Sequence, residues 1–209
     1  MSNSIEVINN LGENVNVEVS DKRIVITWKN KERQLSDLKP GEIFNKNGIE
    51  YIVCDHINGT TSVIRKELLK EDMKFGETND WTKSSIRKYL NDEYLREIEK
   101  AFGSENVIEN TRNLVSLDGL DDYGECKDKI SLLNIFDYIK YRKHITKLDK
   151  WWWLLTPDST PSGFGSGSVR YVGSNASVNY GWCDCGGGVR PFFILKSSIF
   201  VSCEEVVSG

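Results

Sequence analysis

Between Trp151 and Val201 two apolar runs, WWWLLTP and GGGVRPFFILKSSIFV, bracket a Gly- and Ser-rich stretch carrying single aromatics. The bracketing runs read as core strands, whereas the stretch between them lacks the apolar content to bury itself. The two runs are expected to lie side by side and to display the intervening chain to solvent. Adaptable loops held on a rigid frame are a common way to build a binding surface. Trp152, Leu154, Val169, Val189, Phe192 and Ile194 are the residues expected to form the core beneath it.

At 209 residues the chain suits one domain, or one domain with a small appendage. A hydrophobic share of 39% with 28% charged residues places it among folded rather than disordered chains. A net charge of −4 without a basic stripe argues against a nucleic-acid partner. The Lys-rich pieces Lys29 to Arg33 and Lys140 to Lys150 alternate with acids or apolar residues and read as solvated faces. No N-terminal run resembles a signal peptide and none reaches the length of a membrane span. The expectation is cytoplasmic synthesis with no membrane partner; release by lysis, as for a virion-associated component, is compatible with it. Cys54, Cys126, Cys183, Cys185 and Cys203 are odd in number and scattered, which fits reduced thiols rather than a disulfide scaffold.

Residues 1 to 35 alternate around Ser20-Asp21-Lys22 (Val15, Val17, Val19, then Ile24, Ile26, Trp28), the pattern of a β-hairpin. A lone hairpin is marginal in water, so this appendage must dock on the main domain, residues 36 to 209, or on another subunit. Asn58-Gly59 joins the strand Ile49–Ile57 to a returning strand, opening a β-meander. Ile86, Leu90, Tyr94 and Ile98 recur every fourth residue and predict a helix over 84–102, capped by Thr82 or Ser84 and ended at Gly103. Asp118, Asp121, Asp122, Glu125 and Asp128 form an acidic loop whose spacing is not that of an EF-hand, and it reads as solvated. After a short buried strand over 130–133, Asn134 and Asp137 form a capping box for a second helix, with Ile135, Phe136, Ile139 and the Arg142 stem as its apolar side. His144 falls near the C-terminal end of that helix.

The strings WWLLTP, VRYVGSNASV and GGVRPFFIL, with IEYIVCDHI, DWTKSSIRKYLNDEYL and the acidic loop before ISLL, together resemble an uncharacterised family of bacterial and phage-encoded domains. Its signature is a WWLRSP-like strand, a glycine-spaced hairpin and a closing VRPAF-like strand, and the likeness spans about residues 38 to 201. The family is similar to the C-type-lectin-like fold of formylglycine-generating enzymes and of the variable proteins of diversity-generating retroelements. The resemblance implies an α+β fold with two helices on a small twisted antiparallel sheet and long loops on one side. It implies no activity. Leu155 stands where the family carries Arg, so a contact made by that Arg is not expected here; Arg190 of the closing motif is retained.

Catalytic readings are weak. Cys183 and Cys185 form a CDC run, and alternate strand residues share a face, so the pair is a candidate for a redox couple or a soft metal. C-x-C is one residue short of the usual zinc spacing and no His lies nearby, so the expectation is structural thiols, with no metal and no cofactor. His56 and His144 stand in no triad context, and GFGSGS lacks the phosphate-loop pattern. Asp158 and Ser159 look like turn formers. Binding is the stronger expectation. Phe164, Arg170, Tyr171, Asn175, Asn179, Tyr180 and Trp182 sit among small residues in the loops of residues 158 to 186, the mixture found in recognition surfaces. The expected function is therefore non-enzymatic recognition of a protein or glycan, in a phage or mobile-element setting. The alternatives are an assembly component forming a homo-oligomer through the N-terminal hairpin, and a redox or metal enzyme at Cys183 and Cys185.

Overall fold

A computed structural model describes the backbone of residues 15–20, 23–28 and 31–203, and the side chains of residues 32–203. Its strands are β1 (Val15–Ser20), β2 (Arg23–Trp28), β3 (Lys31–Gln34), β4 (Ile43–Lys46), β5 (Ile49–Ile57), β6 (Thr60–Arg65), β7 (Lys70–Lys74), β8 (Val107–Ile108) and β9 (Asn110–Asn113). They continue with β10 (Glu125–Asp128), β11 (Ile130–Ser131), β12 (Trp152–Pro157), β13 (Ser168–Val172), β14 (Val178–Trp182), β15 (Gly186–Val189), β16 (Phe192–Lys196) and β17 (Phe200–Cys203). The helices are α1 (Ser85–Tyr89), α2 (Leu95–Phe102), joined to α1 by a π-helical turn over Leu90–Tyr94, and α3 (Ile135–Tyr141).

The result is a mixed α/β fold built on a curled, mainly antiparallel sheet with two helical layers. One sheet runs β11-β16-β6-β5-β4-β17-β3, with β8 also on β16; a second runs β14-β13-β12-β15-β7. The expected hairpin forms as β1 and β2, registered from Val15↔Trp28 to Ser20↔Arg23. β3, within the 1–35 segment, pairs with β17 at the edge of the larger sheet, and Leu35 behind it is buried. At the β5–β6 turn both Asn58 and Gly59 adopt positive φ (49° and 76°), the backbone that a two-residue hairpin demands and that Asn-Gly supplies.

Alternation along β5 divides the core in two. Tyr51 and Val53 face one cluster, where Ile86, Leu90, Tyr94, Ile98 and Phe102 cover the sheet. Ile52 and Cys54 face the other, covered by Ile135, Tyr138 and Tyr141 of α3 with Trp152 and Leu154. β12 is buried at every position because Trp153 and Leu155 enter the first cluster while Trp152 and Leu154 enter the second. That is why its sequence is continuously apolar from Trp152 to Leu155 instead of alternating.

The every-fourth-residue stripe of the first helix has a structural consequence. A period of four overshoots the 3.6 residues of an α-turn, so in a regular helix the stripe would rotate off the core face. The wider π turn over Leu90–Tyr94 takes up the drift, and all five stripe residues stay buried. Within this turn Asn91 bridges to β11, donating to Ile130 O (2.7 Å) and accepting from Ile130 N (3.2 Å). Ser84 caps the start, accepting from Ile86 N and Arg87 N, and Gly103 ends the helix at φ 88°.

The second helix has its predicted capping box, but its buried face is not the predicted one. Ile135, Tyr138 and Tyr141 point inward, whereas Phe136 and Ile139 are 64% and 57% exposed. The Tyr side chains win because each combines a large apolar area with a polar tip that reaches a partner, as when Tyr138 Oη donates to Ala176 O at 2.9 Å. Ile194 is also only half-buried. It lies on the face of Phe192 but outside that cluster, while its neighbours Phe193 and Leu195 are in the core.

The two bracketing runs do meet, through the parallel pair Trp152↔Gly188. Arg190-Pro191 then carries the chain out of the second sheet, so that β16 pairs with β6 in the first. Arg190 is fully buried at this crossing. Its guanidinium donates to Arg65 O (2.9 Å), Lys66 O (2.7 Å), Thr146 O (2.9 Å) and Thr146 Oγ1 (2.9 Å), and stacks 5.3 Å from the Trp152 ring. No carboxylate pairs with it among the described residues, and burial lowers its pKa to about 10.

Candidate functional site

The stretch between the bracketing runs contains the β13–β14 hairpin, registered Ser168↔Trp182, Arg170↔Tyr180 and Val172↔Val178. Period-two geometry puts Arg170, Tyr180 and Trp182 on one face of this ribbon. Tyr180 and Trp182 are 58% and 63% exposed. Arg170 forms an ion pair with Asp158, and its guanidinium lies 5.6 Å from the Tyr180 ring centre. Gly167, just before β13 and beside Trp182, leaves room for the indole: a Cβ there would stand 3.1 Å from it. A fixed cation and two aromatics thus share one rigid, solvent-facing patch.

The other expected residues lie elsewhere. Tyr171 is a correction: it faces the opposite side, 4.8 Å from the Trp151 ring and 6.4 Å from Trp153, and packs against the core. Asn179, its cross-strand partner, shares that opposite face and donates to Ser177 Oγ at 3.1 Å. Asn175 shapes the hairpin turn, its Oδ1 accepting from Ser177 N (3.0 Å) and Ser177 Oγ (2.6 Å). Phe164, 97% exposed, sits on the separate loop after β12. Asp158, read from sequence as a turn former, is instead the anchor of Arg170. Only cross-strand register brings these two together, and no local pattern announces it.

The acidic residues are structural ties. Asp118 accepts from Ser159 Oγ (2.6 Å) and Ser116 Oγ (2.5 Å), and Asp122 accepts from Ser162 N (3.0 Å), so this loop clasps the one that carries Phe164. These hydrogen bonds hold both carboxyls below their ordinary pKa, led by Ser116 for Asp118 and by Ser162 for Asp122. Asp128 is buried and accepts from Trp81 Nε1 (2.7 Å) and Arg87 Nε (2.8 Å). Among the described residues no three His, Cys, Asp or Glu side chains converge as metal ligands.

The CDC run does not present two thiols on one face. β14 ends at Trp182 and the chain turns, with Cys185 N donating to Trp182 O at 3.0 Å. Cys183 is consequently buried, its Sγ 3.0 Å from Gly167 O, while Cys185 is exposed. Burial pushes the Cys183 thiol up to about 12. Leu155, at the departure from the WWLRSP-like pattern, is fully buried. His56 is a sheet-end residue, its ring 2.9 Å from Thr61 Oγ1 and 2.6 Å from Leu38 O. Because that carbonyl only accepts, Nε2 carries the proton. His144 is half-buried beyond α3.

Compared with protein families, with curated proteins and with solved structures, the chain matches none. No helix among the described residues is long and apolar enough to cross a membrane.

Proposed function

We propose that this chain is a non-enzymatic recognition domain with a C-type-lectin-like architecture, which binds a protein or glycan through the Arg170–Tyr180–Trp182 face of the β13–β14 hairpin. The observation that carries the reading is the exposure of Tyr180 and Trp182 on one face of a rigid ribbon, around an Arg already fixed by Asp158. Aromatics on a strand lose little conformational freedom when they engage a ligand, and Trp, Tyr and Arg dominate binding energies where they cluster. Phe164, on the loop after β12, and Asn175, in the turn of the same hairpin, belong to the same reading. A phage or mobile-element setting, with cytoplasmic synthesis and release on lysis, belongs to the same reading.

Replacing Tyr180 and Trp182 together by Ala should abolish retention on a glycan array, or capture of a protein partner, while the melting temperature stays within about 2 °C of the parent. A larger loss of stability would make the two residues part of the fold and refute the proposal. The assembly alternative draws on β1 pairing with β2 alone among the described residues, since an isolated hairpin is marginal in water. Light scattering with and without residues 1–30, a cut that keeps β3 and the buried Leu35, separates the two: an oligomer that vanishes on truncation favours assembly.

A further inference from the structure

The ladder between β13 and β14 determines which way each backbone group of the outer strand points. Gly173 N donates to Ser177 O (2.8 Å), and at the other end Cys183 N donates to Gly167 O (2.9 Å). Both flanking pairs are therefore hydrogen-bonded ones. Opposed pairs in an antiparallel ladder alternate between bonded and non-bonded. Stepping inward from either end makes Val172–Val178, Arg170–Tyr180 and Ser168–Trp182 the non-bonded pairs. Side chains approach most closely in such pairs, in keeping with Arg170 lying over Tyr180. The N–H and C=O groups of Val178, Tyr180 and Trp182 consequently project away from β13, across the free edge of the sheet. Trp182 O keeps a second lone pair beside its bond from Cys185 N. Among the described residues no strand pairs along this edge.

An open edge is a template for pairing, and proteins usually blunt it with charge. Two other outer strands here do so: β7 reads Lys-Glu-Asp-Met-Lys and β3 reads Lys-Glu-Arg-Gln, while the outer β11 is only two residues long. β14 reads Val-Asn-Tyr-Gly-Trp, with no charge and no Pro.

We propose that a second copy of this chain docks on the β14 edge, antiparallel, with the two-fold axis at Tyr180. This register pairs Tyr180 with the partner's Tyr180, and Val178 with the partner's Trp182. Every outward N–H then meets an outward C=O, so the partial charges of the two edges are complementary. The side chains fit as well. Trp182 lies against the smaller Val178 across the seam, and Asn179 faces Gly181, which offers no side chain to collide with. The two Tyr180–Trp182 patches become one continuous aromatic face. Five residues of strand bury far less than the roughly 1,200 Å² of a stable interface, so the dimer is a weak, concentration-dependent one.

Sedimentation equilibrium from micromolar to millimolar chain should show monomer passing to dimer. Over the same range, amide exchange of Val178, Tyr180 and Trp182 should slow, while Asn179 and Gly181, already bonded to β13, do not change. Tyr180→Lys and Tyr180→Glu each set like charges across the axis and should weaken dimerisation by about tenfold or more. A 1:1 mixture of the two should associate more tightly than either alone. A chain monomeric to millimolar concentration overturns the proposal and leaves the edge to an extended peptide or to none. A dimer without slowed exchange at the three amides, or a mixture no tighter than its components, overturns it equally. The exchange measurement uses the unaltered chain, so the test stands even if a variant fails to fold.

Discussion

Replacing Arg190 by Lys tests how the two sheets are held together. The guanidinium makes four hydrogen bonds to two segments, the end of β6 with Lys66 and the Thr146 region, while its plane stacks on Trp152. An ammonium is a single point with three donors and no plane, so it reaches one segment and abandons the other. At least two hydrogen bonds from a charged donor are lost, each worth about 1.5–3 kcal/mol, and buried carbonyls are left without a partner. The expected cost is about 3–5 kcal/mol. For a chain of this size that corresponds to a melting temperature lower by roughly 10–15 °C. Urea denaturation read by Trp fluorescence gives the difference directly, and Arg190→Met separates the roles of charge and shape. If Met were as stable as Arg, the carbonyl bonds would only offset the burial of a charge, as buried ions often do. A loss below about 1 kcal/mol in Arg190→Lys would refute the argument that this side chain ties the sheets.

Two further predictions concern backbone and titration. Ala176 sits at φ 64°, at the position after a tight turn where Gly is at ease, with Ala176 N donating to Gly173 O (2.8 Å). Ala176→Gly should stabilise by about 0.5–1 kcal/mol, the left-handed penalty less the extra freedom Gly has in the unfolded chain; urea midpoints that fall would contradict it. Burial raises Cys126 to about 11, Cys183 to about 12 and Tyr123 to about 12. Groups raised on folding contribute stability that is complete below their unfolded pKa and lost as pH climbs towards the folded value. Stability should therefore fall from about pH 9, where unfolded thiols begin to ionise. Arg190, lowered to about 10, acts in the opposite sense only above that pH, which leaves pH 9–10 as the clean window. The slope there should be shallower in Cys183→Ala; an unchanged slope would mean the thiol is not shielded as described.

How far the sequence could be read depended on whether a feature is local. The Asn58-Gly59 turn, the Asn134–Asp137 capping box and the Ile86-to-Phe102 stripe are settled by neighbours a few residues apart, and each appears where its pattern puts it. The every-fourth spacing even carries the π turn within it, for no regular helix keeps such a stripe on one face. WWLLTP and the closing run through Arg190-Pro191 were legible as apolar core segments. Their assignment to two different sheets was not.

The chemistry of the exposed face was decided only in three dimensions. Tyr171 and Tyr180 look alike in sequence, yet opposite pleats send one to Trp151 and the other to water. Cys183 and Cys185 have the spacing of a shared strand face, but the strand stops at Trp182 and the turn separates them. Asp158 meets Arg170 because β12 and β13 pair, and Asp118 meets Ser159 because the acidic loop bonds to the end of β12 through Leu117 N and Pro157 O (2.9 Å). Sequence by itself determined the strongly patterned segments, the β5–β6 hairpin, the apolar runs and the two helices, since these answer to side-chain size, branching and period; the stretch 158–186, read as loops, holds the strands β13 and β14, whose mixed Gly, Ser and aromatic content gives no such pattern. Register, pleat and the partner of each charge came from the packed sheet, because they depend on contacts between residues whose separation along the chain carries no signal.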